Sequence, residues 1–337
     1  MKRTHLVSIL IILSINSFAQ CDSLFFRYTG TLLYDISLIN DKTIIGVGDN
    51  GYIIKSVDGG NNWRNIPDNY GSNLLRSVQF VNDSIGYVTG DAGIMKTEDQ
   101  GENWYPLLYT ANPYVNGFKE LHFFNKDSGF FVGTGGHILS TVDGGRTLKD
   151  TTIGYHQFTS IDFINDSTGL IAGNDIYKTT DGGRTWRKIN IDNLGYNPVI
   201  NKIRFITPSF AVITGYSGLY ARSVDSGETW TTTALPTGGS SVYRDLYFFD
   251  ENNGIIVGDY SGGSILYTSD GGQTFSSNFN YPIGNSSYFT INADPLKRRV
   301  MVAGGGGFDN LGYNGRNIIS TLDKGVTWIP QSRNGRL

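Results

Sequence analysis

Three aspartates of this chain stand where carboxylate chemistry is conceivable. Asp49, Asp91 and Asp259 each directly follow a glycine at the end of an apolar run. Two carboxylates held about 5–9 Å apart suffice to cleave a glycosidic bond, one as the proton donor and the other as nucleophile or base. Their equivalent positions argue instead for a repeated turn role. Gly46-Val47-Gly48-Asp49-Asn50-Gly51 matches a phosphate-cradling glycine pattern by letter. The IIKSV that follows reads as a strand, so there is no helix N-terminus to receive a pyrophosphate. A second glycine-rich stretch from Ala303 lacks the Lys-Ser/Thr ending of a phosphate loop and reads as a long, flexible connection. Beyond the leader the histidines are His122, His137 and His156, without H-E-x-x-H or H-x-H spacing, and Cys21 is the only cysteine. No metal site, no intramolecular disulfide and no cofactor are therefore expected. No G-x-S-x-G nucleophile elbow is present, although a Ser-His-Asp triad assembled from distant segments stays open.

These residues must be positioned by something, and the sequence states what. One hairpin phrase, close to S/T-x-D-x-G-x-T-W, occurs seven times. Its aspartates are Asp58, Asp99, Asp143, Asp181, Asp225, Asp270 and Asp323, spaced by 38 to 53 residues. Each repeat reads as four short strands: in the second, LRSVQFV, YVTG, IMKTE and NWYPLLY, separated by turns rich in Asn, Asp and Gly. A strand-rich unit with this period predicts an all-β, single seven-bladed β-propeller with four-stranded antiparallel blades over residues 33–337. The phrase falls at the turn between third and fourth strands. Its Ser/Thr and Asp can accept backbone N–H groups within that turn, its glycine can take a positive φ, and its tryptophan can cover the neighbouring blade. All five tryptophans, Trp63, Trp104, Trp186, Trp230 and Trp328, lie in these boxes, and Leu148 and Phe275 take their place in the third and sixth. Seven equivalent aspartates read as structure rather than as a reaction centre. The strand LFFRYTG (24–30), within an N-terminal segment 20–32, is expected to close the ring by pairing with the last blade.

The repeats resemble the BNR or Asp-box family. Their F-x-N-x-x-x-G-x-x-V-G…G-x-I-x-x-T-x-D-G-G-x-T-W layout, over residues 33–331, is most similar to photosystem II stability/assembly factor-like propellers. The resemblance implies a propeller that binds other molecules in the manner of an assembly factor. Other members of the box family cleave xyloglucan in a cleft between two propellers, and one propeller leaves that cleft unformed. Sialidases carry the boxes too. They need three arginines, a Tyr/Glu nucleophile pair and an Asp acid, and only two of four letters of Phe26-Arg27-Tyr28-Thr29 agree with their Phe-Arg-Ile-Pro entry.

In such a blade the loops joining strand four to strand one, and strand two to strand three, share the rim away from the boxes. Six long loops there each carry a tyrosine, Tyr70, Tyr114, Tyr155, Tyr196, Tyr243 and Tyr281. The first strands should bring Tyr34 and Asp35, Arg76, Lys119 and Glu120, Lys202, and Arg244 and Asp245 towards the mouth of the channel. That mixed-charge ring could hold an anionic or zwitterionic group. The expected partner face is this Tyr-rich rim with Arg76, Lys119, Lys202 and Arg244, suited to a protein or polysaccharide partner. An equally available reading has the tyrosines capping strand entries.

Residues 1–19 read as a signal peptide. Lys2 and Arg3 precede an apolar run too short to span a bilayer well, and Ser17 and Ala19 supply small residues before Gln20. Losing Lys2 and Arg3 takes the net charge from −3 to −5, and no basic tract remains, so no nucleic-acid partner is expected. No transmembrane span is expected either. The protein should be exported, periplasmic or extracellular. Attachment to the outer membrane through a lipid at Cys21 stays open, although Gln20 and Phe18 depart from the lipobox pattern. The leading functional reading is an exported binding or scaffold propeller at the bacterial envelope. The alternative is an extracellular glycoside hydrolase or lyase of the Asp-box type.

Overall fold

The computed structural model describes residues 32–67, 73–109, 117–194, 198–236, 241–259, 264–277, 287–294, 299–305, 307–309, 312–314 and 317–331. It is a seven-bladed β-propeller of four-stranded antiparallel blades. Blade one runs Leu33–Leu38, Ile44–Gly48, Ile53–Ser56 and Arg64–Ile66, and the remaining six repeat that order. The first strand of every blade packs against the first strands of both neighbours, from blade one round to blade seven and back to blade one.

Burial within a blade follows from this arrangement. Second strands such as GFFVG (Gly129–Gly133) and AVITG (Ala211–Gly215) are buried along their whole length. They lie sandwiched between neighbouring blades and read as continuous apolar runs. First strands alternate, with one face on the core and the other on the axis. Fourth strands are short, two to five residues each, and mostly exposed, with Ile66 and Ile189 turned into the core. Short edges offer little template for pairing with another chain. The F-x-N-x-x-x-G pattern has a steric cause. Phe80, Phe123, Phe163 and Phe248 pair across the ladder with Gly86, Gly129, Gly169 and Gly254, and each ring lies over its glycine. A Cβ at Gly169 would sit 2.5 Å from the Phe163 ring. The Asn accepts the next N–H groups, as Asn82 Oδ1 does from Ser84 and Ile85.

One expectation meets a different structure. The connection expected as a flexible loop after Ala303 contains an antiparallel hairpin, Gly307–Asp309 with Gly312–Asn314. That insertion accounts for the longest box spacing. Among the described residues the outermost strand of blade seven is Ile329–Pro330, paired with Asn317–Thr321. The proposed ring-closing strand 24–30 lies outside the described residues. Among the described ones, side chains join the last blade to the first: Thr290 Oγ1 donates to Asp35, Asn292 Nδ2 to Ile36 O, and Arg299 Nη1 to Gly59 O at 2.7 Å.

Candidate functional site

Every first strand carries a β-bulge at the same place, just after its first core residue. A bulge inserts one residue into an alternating strand and re-aims the side chains around it. Here it sorts the axial residues into three layers. The bulged residues themselves, Tyr34, Arg76, Lys119, Thr159, Asn201, Arg244 and Phe289, form the layer nearest the rim opposite the boxes. Asp35, Ser77, Glu120, Ser160, Lys202, Asp245 and Thr290 follow, then Ser37, Gln79, His122, Asp162, Arg204, Tyr247 and Asn292 towards the box rim.

The bulge layer is largely a ring of contacts. Arg244 lies over Phe289 with its guanidinium carbon 5.4 Å from the centroid, Phe289 meets Tyr34 at 5.3 Å, and Arg76 lies 4.9 Å over Tyr34. Asp91 receives both Arg76, at 3.2 Å, and Lys119, at 2.9 Å. Burial opposes ionisation of Asp91, yet the hydrogen bonds from Arg76 and Lys119 hold its carboxyl below the ordinary range. Asp259 pairs with Arg244 at 2.6 Å, and burial together with Asp49 pushes the Tyr34 hydroxyl up. The three glycine-following aspartates thus each neighbour the bulged residue of their own blade. Asp91 and Asp259 are engaged by cations and are not poised as an acid–base pair.

The middle layer closes the axis. Glu120 of blade three reaches Lys202 of blade five at 2.5 Å and Arg204 at 3.2 Å, and Lys202 also faces Asp245 at 3.7 Å. Burial works against the charge on Glu120, and Lys202 and Arg204 overcome it, so its carboxyl titrates below the usual value. Asp35 has no cation in contact among the described residues, and burial raises its pKa although Lys202 works in the opposite direction. Inner-layer side chains also tie successive blades. Asp35 accepts from Val78 N at 2.9 Å, Gln79 from Phe123 N at 2.9 Å, Asp162 from Phe205 N at 2.7 Å and Asp245 from Ile291 N at 3.1 Å.

The boxes lie at the turns between third and fourth strands. In each, the first Ser/Thr hydroxyl donates to the aspartate and accepts the N–H two residues beyond it, as Thr179 does with Asp181 and Gly183. Asp181 also accepts Thr185 N at 2.9 Å and Thr185 Oγ1 at 2.6 Å. The Thr185 and Thr179 bonds lower its pKa to about 2, and the Thr274 and Thr268 bonds do the same for Asp270. The same hydroxyl–carboxylate–N–H pattern recurs at Asp58, Asp99, Asp143, Asp225 and Asp323. The box aromatics pack onto the preceding blade: Trp104 with Ile45, Trp186 with Phe130, Trp230 with Leu170, Trp328 with Ile255, and Trp63 with Met301 of blade seven. Leu148 and Phe275 occupy the same place against Tyr87 and Tyr220.

The residues expected to form the partner face do not share one environment. Tyr155 is fully exposed. Tyr243 is fully buried: it is the core residue before the bulge of blade six, equivalent to Leu33 and Phe158, and not part of a loop. Lys202 lies one layer below Arg76, Lys119 and Arg244, because the bulged residue of blade five is Asn201. Tyr70, Tyr114, Tyr196 and Tyr281 lie outside the described residues. The sequence reading missed Phe289, Arg204 and Asp162. Two adjacent polar residues inside an alternating strand, as in Arg76-Ser77 or Thr159-Ser160, were the signal that a bulge, and hence a layered axis, was present.

Known proteins share this layout. Residues 23–112 and 109–243 match the family described as photosynthesis system II assembly factor YCF48. The photosystem II assembly lipoprotein Ycf48 of Synechococcus sp. (strain CC9902) is 24% identical over 296 residues, covering 72% of this chain and 86% of that protein. A xyloglucanase from Paenibacillus sp. is 22% identical over 309 residues, covering 80% of this chain, which spans only 29% of the enzyme. A solved structure of YCF48 bound to D1 peptide superposes with a TM-score of 0.70 at 17% identity, covering 88% of this chain and 93% of that one. The structural likeness concerns the fold, whereas the two matched segments span well over half of the sequence, and on them this chain belongs to the YCF48 photosynthesis system II assembly factor family.

Proposed function

We propose that this protein is an exported binding propeller that holds a segment of a partner protein across the mouth of its channel, on the rim away from the boxes. The observation that carries the reading is the bulge layer. It sets Arg76, Lys119 and Arg244 beside Tyr34 and Phe289, over an axis closed beneath by Glu120 and Lys202. Such a surface offers cations for carboxylates and aromatic faces for side chains. A YCF48 structure that holds a D1 peptide supports a polypeptide as the ligand class. In this reading residues 1–19 direct export, 20–32 lead into the propeller of 33–337, and Tyr155 with the neighbouring loops extends the contact surface. The seven boxes serve as turn staples outside the binding chemistry. A lipid at Cys21 would place the protein at the outer membrane, an arrangement in keeping with the lipoprotein relative. No described helix is long and apolar enough to cross a membrane.

Affinity capture from the envelope extract of the source cells, with the mature protein and an Arg76→Ala/Arg244→Ala variant as baits, tests this. The wild type should retain a polypeptide partner that the variant loses while keeping its fold. Equal capture by both baits would contradict the reading. Release of oligosaccharides from xyloglucan by the wild type, abolished in Asp91→Asn, would favour the glycoside hydrolase alternative that the xyloglucanase match keeps in view.

A further inference from the structure

The mouth on the rim away from the boxes is uneven around its circumference. Blades four and five spend their bulged side chains on backbone: Thr159 Oγ1 donates to Ile200 O at 2.6 Å, and Asn201 Nδ2 to Tyr243 O at 2.8 Å. Blades six, seven, one, two and three present Arg244, Phe289, Tyr34, Arg76 and Lys119 in one arc. We infer that this arc selects its polypeptide by two side chains, an acidic one over Arg76 and Lys119 and an aromatic one two positions away over Tyr34 and Phe289, a code that rests on the mouth reading proposed above.

Charge places the acid. At blade six Arg244 and Asp259 pair one to one, at 2.6 Å. At blades two and three, two cations share one carboxylate: Asp91 takes Arg76 at 3.2 Å and Lys119 at 2.9 Å. Among the described residues no second carboxylate bonds either cation. One positive charge is left over at that end of the arc, on side chains that stay partly exposed. Burial, and after it the neighbouring Arg76, hold the Lys119 ammonium below its ordinary pKa in spite of Asp91. An incoming carboxylate offsets that repulsion.

Shape places the ring. Tyr34 and Phe289 meet at 5.3 Å with their planes tilted by 50°. Neither belongs to the apolar core of its blade, which is built on Leu33 and Ile36 in blade one and on Tyr288 and Ile291 in blade seven. The bulge turns both rings to the axis instead, where they stay half-buried. A tilted pair offers a face and an edge to a third ring, the arrangement that aromatic groups prefer. Asp49, which accepts Leu32 N at 3.2 Å and faces the Tyr34 hydroxyl, sets a negative charge beside the pair. It disfavours an acid there and so fixes which end takes which side chain.

Distance sets the spacing. The Arg76 guanidinium stands 4.9 Å from the Tyr34 ring, and Phe289 lies 5.3 Å beyond it. In an extended chain, side chains on one face recur every second residue, about 7 Å apart. A carboxylate over the cations and a ring over the aromatic pair therefore fit residues i and i+2. Adjacent residues point to opposite faces, and residues four apart, at about 13 Å, overshoot the pair.

The test is an NMR titration of the full mature protein with the acetylated, amidated peptide Gly-Asp-Ser-Phe-Gly. Saturable shifts are expected at Tyr34, Lys119 and Phe289. Asn for Asp in the peptide should weaken binding about three- to five-fold, and Ala for Phe about three- to ten-fold. The rearranged peptide Gly-Ser-Asp-Phe-Gly should lose one of the two contributions. Lys119→Gln should abolish the Asp/Asn difference and keep the Phe/Ala difference, and Phe289→Ser should do the reverse. If Phe289→Ser does not fold, Phe289→Leu should still shrink the Phe/Ala ratio. Equal binding of all four peptides, one protein substitution lowering both ratios alike, or no saturable shift at millimolar peptide would overturn the code. If partner capture still depends on Arg76 and Arg244, the mouth reading survives such a result. Binding only by the peptide with a free C-terminus would overturn the assignment to a side-chain carboxylate.

Discussion

The box turns and the first-strand bulges are both repeated seven times, and they differ in what is repeated. At the boxes the side chains recur: a hydroxyl and a carboxylate make one network in each blade, beside a buried or half-buried aromatic or apolar residue. At the bulges only the backbone recurs, and seven positions carry Tyr, Arg, Lys, Thr, Asn, Arg and Phe. A turn that must bond itself tolerates few residue types. A bulge projecting into an open mouth tolerates many, so its composition is free to suit a ligand. On the proposed function, stability rests with one rim and recognition with the other.

The largest effect should come from the apolar half of a box. Trp230 is 3% exposed against Leu170 and Ala172. Trp230→Ala should cost about 3–5 kcal/mol, measured by denaturant unfolding, while captured partners stay the same. A loss of partner with unchanged stability would reverse the assignment of the two rims. Glu120→Gln, which leaves Lys202 without its closest carboxylate, should cost about 3 kcal/mol or more. Replacing Glu120 and Lys202 together by Met should recover much of that loss. A Gln variant as stable as the wild type would mean that the closure of the axis contributes little.

Acid should act through the boxes. The folded pKa values of Asp181 and Asp270 are near 2, below the unfolded value of about 3.9. Depressed carboxylates contribute stability that is present above the unfolded value and is lost as pH falls through the folded one. Melting temperature should therefore fall between about pH 4 and pH 2. Asp270→Asn should flatten that part of the profile. A profile of the same slope in the variant would show that other carboxylates govern acid unfolding.

The smallest expected effect is a gain. The first glycine of D-G-G is replaced by Gln100, Ser226 and Lys324 in boxes two, five and seven, and all three hold positive φ, 64°, 61° and 58°. A side chain in that region costs about 1 kcal/mol, so Ser226→Gly should raise stability by a similar amount in thermal unfolding. No gain would mean that the Ser226 hydroxyl bond to Pro208 O, at 2.6 Å, offsets the backbone strain.

Blade number, strand order and the position of the boxes were legible because they rest on local chemistry: Asn and Gly at turns, alternation in first strands, a fixed phrase at one turn. The layering of the axis was not read correctly, because one inserted residue moves every neighbour to the other side of the strand. Tyr243 reads as the end of a loop and is the core residue before a bulge. Lys202 reads as a mouth residue and sits a layer below it, since Asn201 occupies the bulge. The pairing of Glu120 with Lys202 joins blades two apart in the ring, and no spacing along the chain encodes that distance.

Hydrogen exchange of the mature protein, with and without its captured partner, tests the division between the rims most directly. Slowed exchange is predicted at the starts of the first strands around Tyr34, Arg76, Arg244 and Phe289 and in the loop bearing Tyr155, with the turns at Asp99, Asp181 and Asp270 unchanged. Protection confined to the box turns, with the bulged strand starts exchanging as before, would contradict it.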